Sequence, residues 1–231
     1  MWVNNETGVI NPIAEIAVAC AERGVLLHVD AAQAAGRLRM NLAELPISLL
    51  SLSAHKLYGP KGIGALFVRR RPRARVSPQL HGGGHEQGMR SGTLPTHQIA
   101  GFGAAAALAA SRIEADWQHA RMLAEKLRAG LRTLPGCLAN GEPDATVPHI
   151  VNLSIQGVYG EALRADLHEL AVSSGSACSA ATREASYVLR AMGRSDLEAG
   201  AALRISTGRG TTPEEIELAA ERILAAATRL R

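Results

Sequence analysis

The stretch VLLHVDAAQAAGRLRMNLAELPISLLSLSAHKLYGPKGIGALFV, Val25 to Val68, decides the fold. Val25 to Val29 is a short apolar run ending in Asp30, which predicts a buried strand. Leu38 to Ile47 reads as a connecting segment. Leu49 to Ser53 reads as the next strand, closing on Ala54-His55-Lys56. Gly59-Pro60-Lys61-Gly62 predicts a turn, and Gly64 to Val68 a strand leaving it. Upstream, Asn11-Pro12 predicts a helix start, with Asn11 as N-cap and Pro12 at the first helical position. Ile13, Ile16, Ala17 and Cys20 follow as one apolar stripe, and Gly24 supplies the stop. Helix, strand, crossover, strand is the pattern of an α/β protein with a parallel sheet.

Beyond Val68 comes HGGGHEQGMRSGT, His81 to Thr93, too glycine-rich for regular structure and too specific for a linker. Ala100 to Leu134 is alanine-rich and predicts either two helices or one long bent one, with a domain boundary near Ala110. The alternation then resumes. Val151 to Ile155 reads as a strand, and Glu161 to Leu170 as a helix with Leu163, Leu167 and Leu170 on one face. Ser173 to Ser179 reads as a small-residue loop, Ser186 to Met192 as a helix closed by Gly193, and Ala202 to Ser206 as a strand. Thr212-Pro213-Glu214-Glu215 is a capping box that opens a final helix, whose stripe is Ile216, Ala220, Ile223, Ala227 and Leu230.

The 231 residues are 47% hydrophobic, enough for one large or two small domains with real cores. Aromatics are only 3%, so aliphatic side chains must fill them. A formal charge of +4 is a mild excess and does not imply a nucleic-acid partner. The basic run Arg69 to Arg75 reads as a solvated strand end, since no aromatics are interleaved for base stacking. Cys20, Cys137 and Cys178 are widely spaced and form no CxxC, which argues against a disulfide framework or zinc knuckle and for a reducing cytoplasm. No signal peptide is expected from MWVNNETGVINP, and no apolar run reaches membrane-spanning length.

Asp30 ends one apolar strand and Lys56 follows the end of the next, 26 residues later. In open α/β sheets ligands bind at the carboxyl ends of strands. A carboxylate and an amine presented there suit pyridoxal phosphate (PLP), which needs an acid partner for its ring nitrogen and a lysine for a Schiff base. By spacing alone, a surface ion pair accounts for the same two residues more simply. Cys178 sits in SSGSACS with no large apolar neighbour, a setting that does not bury a thiol. Cys20, on a helical stripe, is expected in the core, and Cys137, after Pro135-Gly136, in a structural turn. His28 is expected to pack from its strand. His81 and His85 have a spacing that serves a metal on a helix, but the intervening glycines argue against one.

The blocks VNNETGVINPI, HVDAAQAAG, SLSAHKLYGPKGIGALFVRR, GGGHEQGMRSGT and SSGSACSAA resemble, in order, the signature blocks of NifS/IscS-type cysteine desulfurases, in the class V aminotransferase family. SSGSAC resembles the IscS-like branch with a long active-site loop. The resemblance implies PLP-dependent transferase fold type I. Residues 1–110 would be part of the large PLP-binding domain, with a mostly parallel sheet, and residues 111–231 the small C-terminal α/β domain that carries the cysteine loop. It implies Lys56 as the Schiff-base lysine, Asp30 on the ring nitrogen and Gln33 on the phenolic oxygen. Ser53 and His55 would bind the phosphate, and Thr93 would reach the phosphate of a partner subunit. Asn5 would lie near the phenolic oxygen and the substrate, Arg204 would bind the substrate carboxylate, and Cys178 would be the nucleophile. No resident metal is implied, although Cys178 is a possible transient iron–sulfur ligand.

The implied reaction removes sulfur from L-cysteine, leaving L-alanine and a persulfide on Cys178. That persulfide passes to an acceptor such as an iron–sulfur scaffold, or serves tRNA thiolation, in a cytoplasmic homodimer with no membrane and no direct nucleic-acid partner. Two other readings stay open: a related PLP lyase acting on selenocysteine, and a non-enzymatic remnant or sulfur-relay or dimerisation module. Family members begin well before the VNNE block, with strands, an Ala-Thr phosphate turn and a ring-stacking His. Relative to them the chain reads as N-terminally truncated. The expected outcome is little or no desulfurase activity from these 231 residues alone, measured as alanine or sulfide release with added PLP and reductant. Turnover matching a full-length relative would show that expectation wrong.

Overall fold

A computed structural model describes residues 1–174 and 185–231. The chain divides into two compact units, Met1–Val3 with Asn11–Ile113 and Asn4–Ile10 with Glu114–Arg231. Among the described residues no helix is long and apolar enough to cross a membrane.

The first unit is built on a three-stranded sheet of β1 (His28–Asp30), β2 (Leu49–Ser53) and β3 (Gly64–Val68), in that order. β1 and β2 are parallel, with Asp30 opposite Ser51, as a helix–strand–crossover–strand sequence requires. β3 returns antiparallel to β2 through the Gly59–Gly62 turn. Val29 and Leu50 are buried at 1% exposure on one face of the pair, leaving Asp30, Ser51 and Ser53 on the other. Arg69 holds the crossover: its guanidinium donates to the carbonyls of Ile47, Leu42 and Leu45, each at 2.6 Å.

Helix α1 (Ile13–Glu22) starts one residue later than its sequence suggests. Pro12 is the N-cap, with ψ of 65°, and the Asn11 side chain donates to the Met1 carbonyl instead of capping. Only Ile13 and Ala17 of the expected stripe are buried; Ile16 is exposed and Cys20 half-buried, so Cys20 is not a core residue. The expected strand from Val25 is also shorter. Val25 and Leu26 are exposed at 55% and 59%, and the ladder starts only at His28. His28 is exposed rather than packed, and its Nε2 lies 3.2 Å from Ser51 Oγ.

The alanine-rich region is one continuous helix, α2 (Thr96–Leu131). The second unit adds β4 (Cys137–Ala139), β5 (Ile150–Ile155), α3 (Gly160–Asp166), α4 (Tyr187–Ala191), α5 (Asp196–Gly200), β6 (Ala202–Ser206) and α6 (Pro213–Arg229). β4, β5 and β6 form an antiparallel sheet with β5 in the middle. Cys137 therefore opens a strand rather than sitting in a turn, and burial pushes its thiol pKa up, against the opposing pull of Arg231. α3 stops at Asp166, short of the expected Leu170, which is half-buried.

The β5–β6 sheet has two unlike faces. Val151, Leu153, Ile155, Leu203 and Ile205 pack with Leu123, Leu127 and Leu131 of α2 and with Ile216, Ala220 and Ile223 of α6. On the opposite face the strand alternation sets Asn152, Ser154 and Arg204, with Asn152 opposite Arg204. α6 begins in the expected capping box, Thr212 Oγ1 accepting from Glu215 N and Glu215 Oε2 from Thr212 N. A second box, Ser195 with Glu198, opens α5. There the Ser195 backbone N–H, the Gln156 amide and the Ser195 hydroxyl hold the Glu198 carboxyl below the usual carboxylate range.

Two outcomes are expected in urea unfolding. Leu127→Ala, at a fully buried position, destabilises by about 3 kcal/mol, and Thr212→Ala by about 1 kcal/mol. The Glu198 contribution is present above the ordinary carboxylate range and lost as pH falls through its depressed folded value. Glu198→Gln should accordingly flatten the acid limb of stability against pH; an unchanged limb would show that this carboxyl plays no such part.

Candidate functional site

The parallel pairing of β1 and β2 brings two chain ends to one sheet edge. Asp30 closes β1, and its Oδ1 accepts from Ala32 N at 2.9 Å, which orients the carboxylate at the start of the following turn. That turn is closed by Ala34 N and Ala35 N donating to the Ala31 carbonyl, and it presents Gln33, half-buried. Ser53 closes β2 on the same face as Asp30. The chain then tightens into a short 3-10 turn, Ala54–Leu57, that buries Ala54 and Leu57 and leaves His55 and Lys56 exposed. Ser53 Oγ and His55 Nδ1 are 3.0 Å apart. Gly59 N donates to Ala54 O, and a Cβ at Gly59 would lie 2.9 Å from that oxygen, so glycine is what allows the turn to close.

Asp30 with Gln33, and Ser53 with His55 and Lys56, thus stand at or just beyond the carboxyl ends of two neighbouring parallel strands. This donor set fits pyridoxal phosphate: an acid for a ring nitrogen, an amide for a phenolic oxygen, a hydroxyl and an imidazole for a phosphate, and an amine for the aldehyde. The unit also contains a cavity of about 940 Å³. Its lining includes Leu52 and Leu57, and Leu52 alternates away from Ser51 and Ser53, so it belongs to the apolar side. Thr93 is exposed in the loop before α2. In that loop Gly92 N donates to His85 Nδ1 at 3.4 Å. No group of three or more His, Cys, Asp or Glu side chains able to hold a metal occurs among the described residues.

The second unit brings together Asn5 and Arg204. Asn5 lies in the turn Asn4–Ile10, where Asn4 Oδ1 accepts from Glu6 N and Thr7 N, each at 2.9 Å. Gly8 closes the turn with φ of 78°, against Ile150. Arg204 Nη1 donates to the Asn5 carbonyl at 2.9 Å, and Arg204 pairs through its backbone with Ser173. Cys178 lies outside the described residues.

Sequence reasoning missed the residues that hold this turn. Asn152 Nδ2 donates to the Glu6 carbonyl at 2.9 Å, and Ser186 Oγ to Glu6 Oε2 at 2.6 Å. Asn140 Nδ2 donates to Asn152 Oδ1 and Ser154 Oγ, both at 2.8 Å, and Arg194 Nε to Asn140 Oδ1 at 2.6 Å. The one available signal was polar residues at alternate positions of the otherwise apolar strand β5.

The chain is 52% identical over all 231 residues to the "Cysteine desulfurase IscS" of Vibrio vulnificus, and spans 57% of that relative's length. Among solved structures it is similar to a NifS-like protein from Rickettsia africae, with TM-score 0.89 and 30% identity, covering 98% of this chain and 60% of the other. It is also similar to DndA from Streptomyces lividans, with TM-score 0.74 and 40% identity, covering 89% and 59%. The family described as Aminotransferase class-V matches residues 1–218, nearly the whole chain. The chain belongs to the class V aminotransferase family.

Proposed function

We propose that the chain is the PLP-binding and sulfur-accepting part of a cysteine desulfurase that releases L-alanine from L-cysteine. The observation that carries the reading is the common edge shared by Asp30 and the Ser53-Ala54-His55-Lys56 turn. The name of the 52% identical relative supports the same substrate. In this reading residues 1–110 carry the cofactor groups and Asn5, and residues 111–231 carry Arg204 and Cys178.

When bound, PLP supplies an electron sink for the substrate's α-carbon. Lys56 Nζ would hold the aldehyde and would serve as the base at the substrate's Cα. The Asp30 carboxylate would hold a proton on the ring nitrogen, and Gln33 would donate to the phenolic oxygen. Ser53 Oγ and His55 would bind the phosphate, with Thr93 contributing to the same group of a partner subunit. Arg204 would pair with the substrate carboxylate, for which a planar guanidinium is suited, and Asn5 would line the same position. The Cys178 thiolate would attack the substrate sulfur. The new S–S bond would form as the substrate's Cβ–S bond breaks; Cβ would take a proton, Cα would regain the one held on Lys56, and the product would leave as alanine. The persulfide would then pass to an acceptor, such as an iron–sulfur scaffold protein, from a homodimer.

The test is spectroscopic. The chain incubated with PLP should show a visible absorbance band, lost in Lys56→Ala and weakened in Asp30→Asn. A band that survives Lys56→Ala would overturn the assignment. A persulfide trapped on Cys178 after long incubation with L-cysteine, formed at the low rate expected of these 231 residues alone and absent in Cys178→Ser, checks the sulfur step. Sedimentation at micromolar concentration checks the dimer: a monomer counts against the role given to Thr93.

A further inference from the structure

Strand register places the ends of β1 and β2, but not the loops that run on beyond them. In the reading proposed above, one rigid ring is bound from both loops. Asp30 and Gln33 belong to the first, and Ser53, His55 and Lys56 to the second. Both sets can bind it together only if the spacing of the loops is fixed, to within about half an ångström.

The two loops meet through Gly36-Arg37 and Leu57-Tyr58, all within the first unit. Gly36 has φ of 71°, and a Cβ there would lie 3.5 Å from Leu57 Cβ and 3.0 Å from Ala109 Cβ. The first loop therefore runs close against the buried Leu57. One residue on, the Arg37 guanidinium carbon lies 5.2 Å from the centre of the Tyr58 ring, and Nη2 donates to the Tyr58 hydroxyl at 3.3 Å. Each partner is tied to the loop it would hold. Arg37 N donates to the Ala34 carbonyl, which closes the turn after Gln33, and Gly59 N donates to Ala54 O around the turn that carries Lys56.

Tyr58 is strained where it stands. Its φ is 67°, in the left-handed region that suits glycine and not an aromatic side chain. Core burial does not offset the strain, since Tyr58 is 48% exposed. What a tyrosine adds at this position over a glycine is a ring and a hydroxyl, and both face Arg37.

We infer that Arg37 and Tyr58 are positioning residues, a clamp that fixes the Lys56 turn against the loop of Asp30 and Gln33. The inference rests on the PLP roles proposed for those three residues. Neither member of the clamp is placed on a reacting atom; each acts through the turn it belongs to.

The 231-residue chain is compared with Arg37→Met, Tyr58→Gly, Tyr58→Phe and Arg121→Met, the last removing a surface ion pair of the second unit as a control. Three readings are taken. The first is amide hydrogen exchange over Ala54 to Pro60 without PLP. The second is the circular dichroism of the visible band per bound PLP. The third is the share of borohydride-fixed PLP on each of the lysines Lys56, Lys61 and Lys126. Arg37→Met should raise exchange by about fivefold. Arg37→Met and Tyr58→Gly should each lower the ellipticity about threefold and spread the label from Lys56 to the other lysines. Tyr58→Phe keeps a ring under the guanidinium and should stay within about twofold of wild type. Arg121→Met should change nothing. Glycine relieves the positive φ, so lost ellipticity in Tyr58→Gly without a lower urea midpoint separates placement from stability.

The clamp is overturned if Arg37→Met leaves exchange unchanged, or if Arg37→Met and Tyr58→Gly keep wild-type ellipticity and labelling of Lys56. It is also overturned if the losses only follow a falling urea midpoint. A wild-type chain with no visible band, or with label spread over all three lysines, overturns the desulfurase reading instead. Exchange needs no PLP and decides separately whether the two loops are clamped.

Discussion

The parallel pairing of β1 with β2 is the constraint on which the placement of Asp30, Ser53 and the Ala54–Leu57 turn depends. Asp30 lies opposite Ser51, so the two strands end at the same edge and their polar residues share one face. A slip of one residue would turn Ser51 and Ser53 to the side now held by Leu50 and Leu52, and would take Asp30 from its hydroxyl neighbours. Burial of Val29 and Leu50 makes that slip costly, and the bond from Ala31 N to the Ser51 carbonyl extends the register one residue past β1. The three bonds from Arg69 to the crossover carbonyls act to the same end. They satisfy backbone oxygens that an irregular connection leaves without strand partners.

In the second unit the same division is made by one sheet. The apolar face of β5–β6 holds α2 and α6 and supplies the stability. The polar face gives up that gain. Asn152 and Ser154 are buried at 3% and 0%, and each is bonded to Asn140, which is itself bonded to Arg194. A buried network of this kind earns its place only when its members are satisfied. Here it holds the Asn4–Ile10 turn by that turn's own carbonyls, and so fixes the backbone beside Arg204. Core on one side and site on the other means that a substitution facing Leu127 and one facing Asn5 should be separable in their effects.

Much of this was legible in the sequence wherever local chemistry decides the structure. The bounds of β2, β3 and β6 follow from short apolar runs stopped by glycine or polar residues, and α6 from its capping box. Val25 and Leu26 misled because an apolar run marks burial only where something covers it, and here the ladder begins at His28. β4 and α5, with three and five residues, are too short to show a period, although Ser195-Asp196-Leu197-Glu198 carried a readable cap. The same limit applies to the site. Asp30 and Lys56 sit at strand ends, which sequence can locate. The bond between Glu6 and Ser186 spans 180 residues and depends on tertiary packing, so no local pattern announces it.

The three cysteines of the chain differ in setting, and a thiol reacts as its thiolate. Burial raises the Cys137 pKa and keeps that sulfur protonated on a strand edge, while Arg231 pulls the other way without prevailing. Cys20 is half-buried on α1, in the first unit, away in sequence from the residues that bind the turn of Asn5. Cys178 differs from both in its sequence setting, where serine, glycine and alanine offer no large apolar side chain to desolvate a thiolate. On one side of it in the sequence Ser173 pairs with Arg204; on the other Ser186 bonds Glu6. Both bonds end at the Asn5-Glu6 dipeptide or at the arginine bonded to it, so the described chain on either side of residues 175–184 is tied to one turn by the same few hydrogen bonds.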